Sequence, residues 1–130
     1  MNTFSKQSLD ILSTCDYRLR DICNEVIKVM DITVICGHRT QEDQDKAFKQ
    51  GKSKLEYPKS KHNINPSLAV DIAPYPIDWK DRERFILLAG LVTGIGLMKG
   101  YTIRWGGAWN GLKSMKFNKF DDLPHFEIIN

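Results

Sequence analysis

Two histidines and three carboxylates are the residues of this chain best suited to chemistry: His62, Asp71, Asp122, His125 and Glu127. Asp71 lies in the apolar run Ala69–Ala73 (AVDIA). An ionised carboxylate in such a run is expensive unless a cation, a set of donors or a metal meets it. His62 stands nine positions earlier, beyond Pro66, where a loop can fold it back onto Asp71. His125 sits in the C-terminal stretch Asp121-Asp122-Leu123-Pro124-His125-Phe126-Glu127. Two histidines and one carboxylate suit zinc, which takes three protein ligands in a catalytic site and leaves a fourth position for water. Asp122 and Glu127 compete as general base. A strand puts His125 and Glu127 on one face and Asp122 on the other. A kink at Leu123-Pro124 would bring Asp122 round beside His125.

The elements that must position these groups follow from the pattern. Ser5–Leu12 reads as a short helix. Leu19, Ile22, Cys23, Val26, Ile27 and Met30 form an apolar stripe at helical spacing, with Asp16 as N-cap. Ile32–Cys36 (ITVIC) is a β-branched run and reads as a buried strand. Thr40 caps a helix over Gln41–Gln50 that Gly51 closes. His38 and Arg39 therefore lie at a strand-to-helix junction, where functional groups sit on a rigid scaffold. His38 reads as a surface or locally bonded histidine, and Arg39 as a candidate for the site.

Lys52–Pro66 is a long polar loop that delivers His62. Leu68–Ala73 is the next strand, stopped by Pro74-Tyr75-Pro76. Asp78 caps a helix from about Trp79 to Met98, in which Gly90 and Gly94 would admit a close backbone neighbour. Tyr101–Trp105 and His125–Ile129 read as strands. Ala108–Asp121 reads as loop, with a turn at Asn110-Gly111. Four short strands with helices before and between them predict an α+β fold with a small, mostly antiparallel sheet.

With 130 residues the chain is expected to form a single domain, 1–130, with one modest core. The net charge of +3 and the lack of a basic stripe disfavour a nucleic-acid binder. Lys113, Lys116 and Lys119 read as a solvated face. Cys15, Cys23 and Cys36 form no CxxC pair and read as buried thiols of a reducing compartment. No signal peptide pattern is visible. The longest uncharged run, Phe85–Met98, has 14 residues, too few for a transmembrane segment.

S-x-H at Ser60–His62, A-V-D at Ala69–Asp71 and D-x-P-H-F at Asp122–Phe126 together resemble the zinc peptidases of bacterial cell-wall metabolism. That family includes D-alanyl-D-alanine carboxypeptidases, vancomycin-resistance dipeptidases and phage endolysins. The spelling SKHN…PSLAVDIAPYP is most similar to the L-alanyl-D-glutamate peptidases of tailed phages. GHRTQEDQ at Gly37–Gln44 and Arg-Trp-Gly-Gly at Arg104–Gly107 fit the same family. Many of its members read W-G-G-D-W; here Ala108 replaces that aspartate and Asn110 follows, which removes carboxylates that would contact substrate or a second cation.

The resemblance implies the small zinc-peptidase fold shared with the hedgehog signalling domain. It implies one Zn²⁺ held by His62, Asp71 and His125. It makes Asp122, rather than Glu127, the general base and Arg39 the holder of the substrate carbonyl. It implies a phage endolysin that hydrolyses the L-alanyl-D-glutamate amide of peptidoglycan stem peptides. Such a protein would be a monomer without a separate wall-binding domain, made in the host cytoplasm and reaching the wall at lysis. Two other readings share the motif set. One is a D,D-carboxypeptidase or dipeptidase, and the other a non-catalytic zinc-stabilised wall-binding module.

Overall fold

The computed structural model describes residues 1–109, 111 and 121–130. The elements run α1 (Lys6–Leu12), α2 (Tyr17–Val26), β1 (Ile32–Cys36), α3 (Gln41–Lys49), a 3-10 turn (Lys61–Asn63), β2 (Ala69–Pro74), α4 (Arg82–Met98), β3 (Ile103–Gly106) and β4 (Asp122–Ile128). The four strands form one sheet in the order β1-β2-β4-β3, and every neighbouring pair is antiparallel. The fold is α+β with a small antiparallel sheet, as the pattern predicts. The readings of Lys113, Lys116, Lys119 and Asn110 fall outside the described residues.

Helix starts are chemically marked. Ser5, Asp16 and Thr40 each accept a first-turn N–H at the N-caps of α1, α2 and α3. α4 departs from the expectation by starting at Arg82 under Asp81. Asp78 spends its carboxylate on the N–H of Lys80 instead, a local turn that delays the helix. β3 starts at Ile103 rather than Tyr101, because the Tyr101 N–H still closes the end of α4 on the Gly96 carbonyl, 2.8 Å away.

The pleat sorts the sheet into two faces. Val70 and Ile72 of β2, Phe126 and Ile128 of β4 and Trp105 of β3 enter the core. Against them pack Leu19, Ile22, Cys23 and Val26 of α2 and Phe85, Leu88, Ala89 and Val92 of α4. Burial lifts the Cys15 thiol to about 12 and raises Cys23 as well, so both remain protonated core groups. Asp71 pairs with His125 and Ala69 with Glu127, so Asp71, His125 and Glu127 share the opposite, open face. The helices cover one face and leave the other to the site.

Two sequence expectations are corrected. Gly90 and Gly94 accommodate no close backbone: a Cβ added to either meets nothing within 4 Å. The tight contact of α4 is at Gly96, where an added Cβ would lie 2.9 Å from the Ile103 side chain. β4 begins at Asp122 and runs through Pro124, although a proline disfavours a central strand. The proline is tolerated because both ladders are interrupted there. Pairing with β2 ends at Asp71–His125, and pairing with β3 jumps from Trp105–Phe126 to Gly106–Asp122.

That irregularity holds Asp122. Gly106 lies so close to it that an added Cβ would stand 2.0 Å from the Asp122 carbonyl oxygen. The Trp105 indole N–H fixes the next residue by donating to the Leu123 carbonyl at 2.7 Å. Gly106→Ala must push β3 and β4 apart. The expected result is a loss of about 1–3 kcal/mol of stability in thermal melts.

Candidate active site

Each functional side chain arrives from a different element. His62 lies in the 3-10 turn, whose start is fixed by Ser60 and Asn63: the Ser60 hydroxyl accepts from the His62 N–H, and the Asn63 side chain accepts from the Ser60 N–H. Asp71 comes from β2, His125 and Glu127 from β4, and Arg39 from the junction between β1 and α3. The turn is tied to that junction, since the Arg39 N–H donates to the His62 carbonyl at 2.7 Å.

The structure brings His62, Asp71 and His125 to one point. His62 Nε2 and His125 Nδ1 each lie 3.2 Å from the same oxygen, Asp71 Oδ1. The outer nitrogens are also engaged: His62 Nδ1 is 2.7 Å from the Gly37 carbonyl and His125 Nε2 is 2.8 Å from Glu127 Oε1. A carbonyl and a carboxylate only accept, so both outer nitrogens carry the hydrogen. In the neutral rings the inner nitrogens are then bare lone pairs, aimed at a carboxylate oxygen. Three electron-pair donors facing one another require a cation between them, either a proton or a metal ion.

The titration behaviour has the same origin. Burial alone would lower both histidines, but the Asp71 carboxylate reverses this and lifts His62 to about 10. His125 rises to about 9, where hydrogen bonds to Asp71 and Glu127 outweigh its burial. Burial would raise Asp71, and the two imidazoles, His62 foremost, hold it far below the usual carboxylate range.

Two carboxylates flank His125 and differ in their surroundings. Asp122 Oδ2 is 3.9 Å from His125 Nδ1, on the inner side. Burial, reinforced by the Asp71 charge, raises its pKa. Glu127 takes two contacts from Arg104, from Nε at 3.2 Å and Nη2 at 3.0 Å, and has Lys61 Nζ 3.5 Å away. Burial would raise it, yet the His125 hydrogen bond and these cations bring it down to about 2. Glu127 thus accepts the outer hydrogen of His125 with its charge already met by Arg104 and Lys61. Arg39 Nη2 lies 3.9 Å from Asp71 Oδ2 and 3.6 Å from Cys36 Sγ.

Sequence reasoning missed three contributors. Gln44 is fully buried although it sits in a charged helix. Its Oε1 accepts from Arg39 Nη1 at 2.9 Å and from Asn63 Nδ2 at 3.2 Å, while its Nε2 donates to Ser53 Oγ and the Leu55 carbonyl. The Gly37 carbonyl that sets the His62 tautomer has no side-chain signal. Cys36, expected from sequence to be a buried thiol, is only half-buried, because it lies at the site, 3.8 Å from His62 Nδ1. Cys36, His62 and Asp71 form a cluster that could hold a metal ion. The site opens into a cavity of about 680 Å³ whose walls include Arg39, Arg104, Trp109 and Asp122. The Trp109 ring is tilted against His125 at 5.4 Å between centroids.

The helix-backed antiparallel sheet carries this cluster on its open face. The fold is that of the crystal structure of Serratia marcescens L-Ala D-Glu endopeptidase ChiX, with a TM-score of 0.77. The two chains are 21% identical, and the match covers 98% of this chain and 91% of that one. Residues 1–129 match the phage L-alanyl-D-glutamate peptidase family, and the chain belongs to that family. It is therefore a peptidase acting on peptidoglycan. Among the described residues no helix is long and apolar enough to cross a membrane.

The raised histidines give a signed stability prediction for chelated protein. A group whose folded pKa is raised stabilises fully below its ordinary value, here 6.5, and ceases to do so as pH rises through about 9 and about 10. Metal-free protein should therefore lose melting temperature steadily between pH 6.5 and 10. Added metal ion should flatten that decline, because it replaces the protons. A decline of equal slope with and without metal would contradict the convergence of lone pairs at Asp71.

Proposed function

We propose that the chain hydrolyses the L-alanyl-D-glutamate amide of peptidoglycan stem peptides at one zinc ion held by His62 Nε2, Asp71 Oδ1 and His125 Nδ1. The observation that carries this reading is the pair of 3.2 Å separations at Asp71 Oδ1. Two ligand atoms about 2.0–2.1 Å from a tetrahedral ion are about 3.3 Å apart. The donor set is the nitrogen and oxygen mixture zinc accepts, and both histidines have outer acceptors of the kind that orient metal ligands. Cys36 fits less well as the third corner. It lies on the side of His62 Nδ1, whose hydrogen is committed to Gly37, and it receives the Arg39 guanidinium.

Zinc bound there supplies Lewis-acid polarisation and a water acidified to near neutrality. The chain's own residues do the rest. Asp122 takes the proton of the attacking water at Oδ2 and passes it to the departing D-glutamyl nitrogen, a task that suits a carboxylate with raised proton affinity. Arg39, held by Gln44, faces the developing oxyanion of the substrate carbonyl. Glu127, Arg104 and Lys61 keep the His125 ring in the tautomer that leaves Nδ1 bare. Residues 1–130 act as one catalytic domain, in keeping with the one core cluster among the described residues.

Asp122→Asn separates a catalytic domain from a non-catalytic wall-binding module. The variant should bind one equivalent of zinc as wild type does and lose at least about a hundredfold in turnover of purified peptidoglycan. Mass spectrometry of the fragments should show new N-terminal D-glutamate from wild type; fragments shortened by a C-terminal D-alanine would favour a D,D-carboxypeptidase. Glu127→Gln should weaken zinc affinity about 10- to 100-fold in competition with a fluorescent chelator. Activity should be recovered when excess zinc is supplied.

A further inference from the structure

The cavity that opens from the site has one wall of which the mechanism uses only Lys61. Lys52, Lys54, Lys59 and Lys61 all line it; the first three come from the stretch between α3 and the 3-10 turn, and Lys61 opens that turn. Lys61 is committed to Glu127 and the Ile128 carbonyl. Lys52 and Lys59 are exposed and make no ion pair among the described residues. The only acidic residue in the stretch, Glu56, is not part of the wall.

A run of lysines on a loop is ordinarily a solvated face, but this loop is fastened to the site. Gln44, with no exposed surface, donates to the Leu55 carbonyl at 2.6 Å and to Ser53 Oγ at 2.9 Å while its oxygen holds Arg39. One buried amide thus sets the lysine segment and the substrate-facing guanidinium in a common frame. The opposite side of the cavity is acidic at Asp71, Asp122 and Glu127, and each of these already has cationic or histidine neighbours. Among the described residues, the lysines of the cleft without an ion pair are Lys52 and Lys59, both on the loop side.

Building on the proposed function, we propose that the Lys52–Lys61 wall recognises the free α-carboxylate of the D-glutamyl residue. The enzyme therefore prefers stem peptides in which that carboxyl is free over those in which it is amidated. The chemistry of the substrate puts the anion within reach. In a stem continued through the γ-carboxyl, the α-carboxyl is borne by the same carbon as the scissile nitrogen. It must enter the cleft whenever the amide reaches Asp122. A cationic wall attracts a carboxylate and gains nothing from a neutral carboxamide of the same shape.

The test compares two synthetic peptides, L-Ala-γ-D-Glu-L-Lys and its α-amide, with the zinc-loaded protein at low and high salt. Wild type should favour the acid by about tenfold in kcat/KM, as two partly exposed ion pairs allow, and the preference should shrink as salt screens it. Lys52→Gln with Lys59→Gln should lower the preference about fivefold, through KM for the acid rather than kcat. Lys52→Glu with Lys59→Glu should carry it towards the amide. Equal cleavage of acid and amide by wild type, or a preference unmoved in both double variants, overturns the wall while leaving the peptidase reading intact. Cleavage of neither peptide overturns both.

Discussion

The rest of the structure depends on one electrostatic constraint: a carboxylate largely withdrawn from water in an apolar strand must be met by something positive. Asp71 satisfies it by drawing two imidazoles onto a single oxygen. Each imidazole is held from behind, His62 by a backbone carbonyl and His125 by a carboxylate. The rear contacts matter as much as the front ones. They decide which nitrogen carries hydrogen, and so convert two ordinary histidines into a pair of converging lone pairs. The antiparallel register supplies half of this geometry directly, because Asp71 and His125 are opposite one another across β2 and β4. The 3-10 turn supplies the other half.

Much of this was legible in the sequence because it is written in periodicity and in local chemistry. Ile32–Cys36 is a strand over the predicted range, and Ser5, Asp16 and Thr40 cap the predicted helices. An aspartate inside AVDIA announces a buried charge before any fold is known. What could not be read depends on tertiary partners. Gln44 looks like one more polar residue of a charged helix, and only the fold shows that it is enclosed by Arg39, Asn63, Ser53 and Leu55. Asp78 and Asp81 are equally good caps by type, and the choice between them rests on a local turn. Gly90 and Gly94 have the spacing of a packing stripe, yet the helix turns that side outward.

The kinked start of β4 shows how a local irregularity becomes functional. A regular strand would send Asp122 to the face opposite His125. Pro124 forbids a regular ladder, and Gly106 allows β3 to come against Asp122 where any side chain would collide. The strand therefore slips, and Asp122 ends on the inner side of His125 at 3.9 Å. Bulges next to active sites commonly re-aim a side chain in this way. Here the proline and the glycine are the sequence signals for it, one on each strand.

The same region assigns different tasks to two carboxylates that flank one ring. Asp122 and Glu127 both approach His125, and residue type alone does not distinguish them. Their neighbours do. Glu127 meets a donating imidazole N–H, Arg104 and Lys61, so its charge is neutralised and its proton affinity falls. Asp122 is partly buried and feels the negative charge of Asp71, so its proton affinity rises. A carboxylate that has lost affinity for protons suits orienting a ligand; one that has gained affinity is better suited to accept a proton and return it. In the proposed mechanism Asp71 thus acts twice: its charge gathers the histidines that would hold the metal, and the same charge, felt across the site, raises the proton affinity of Asp122, the proposed base.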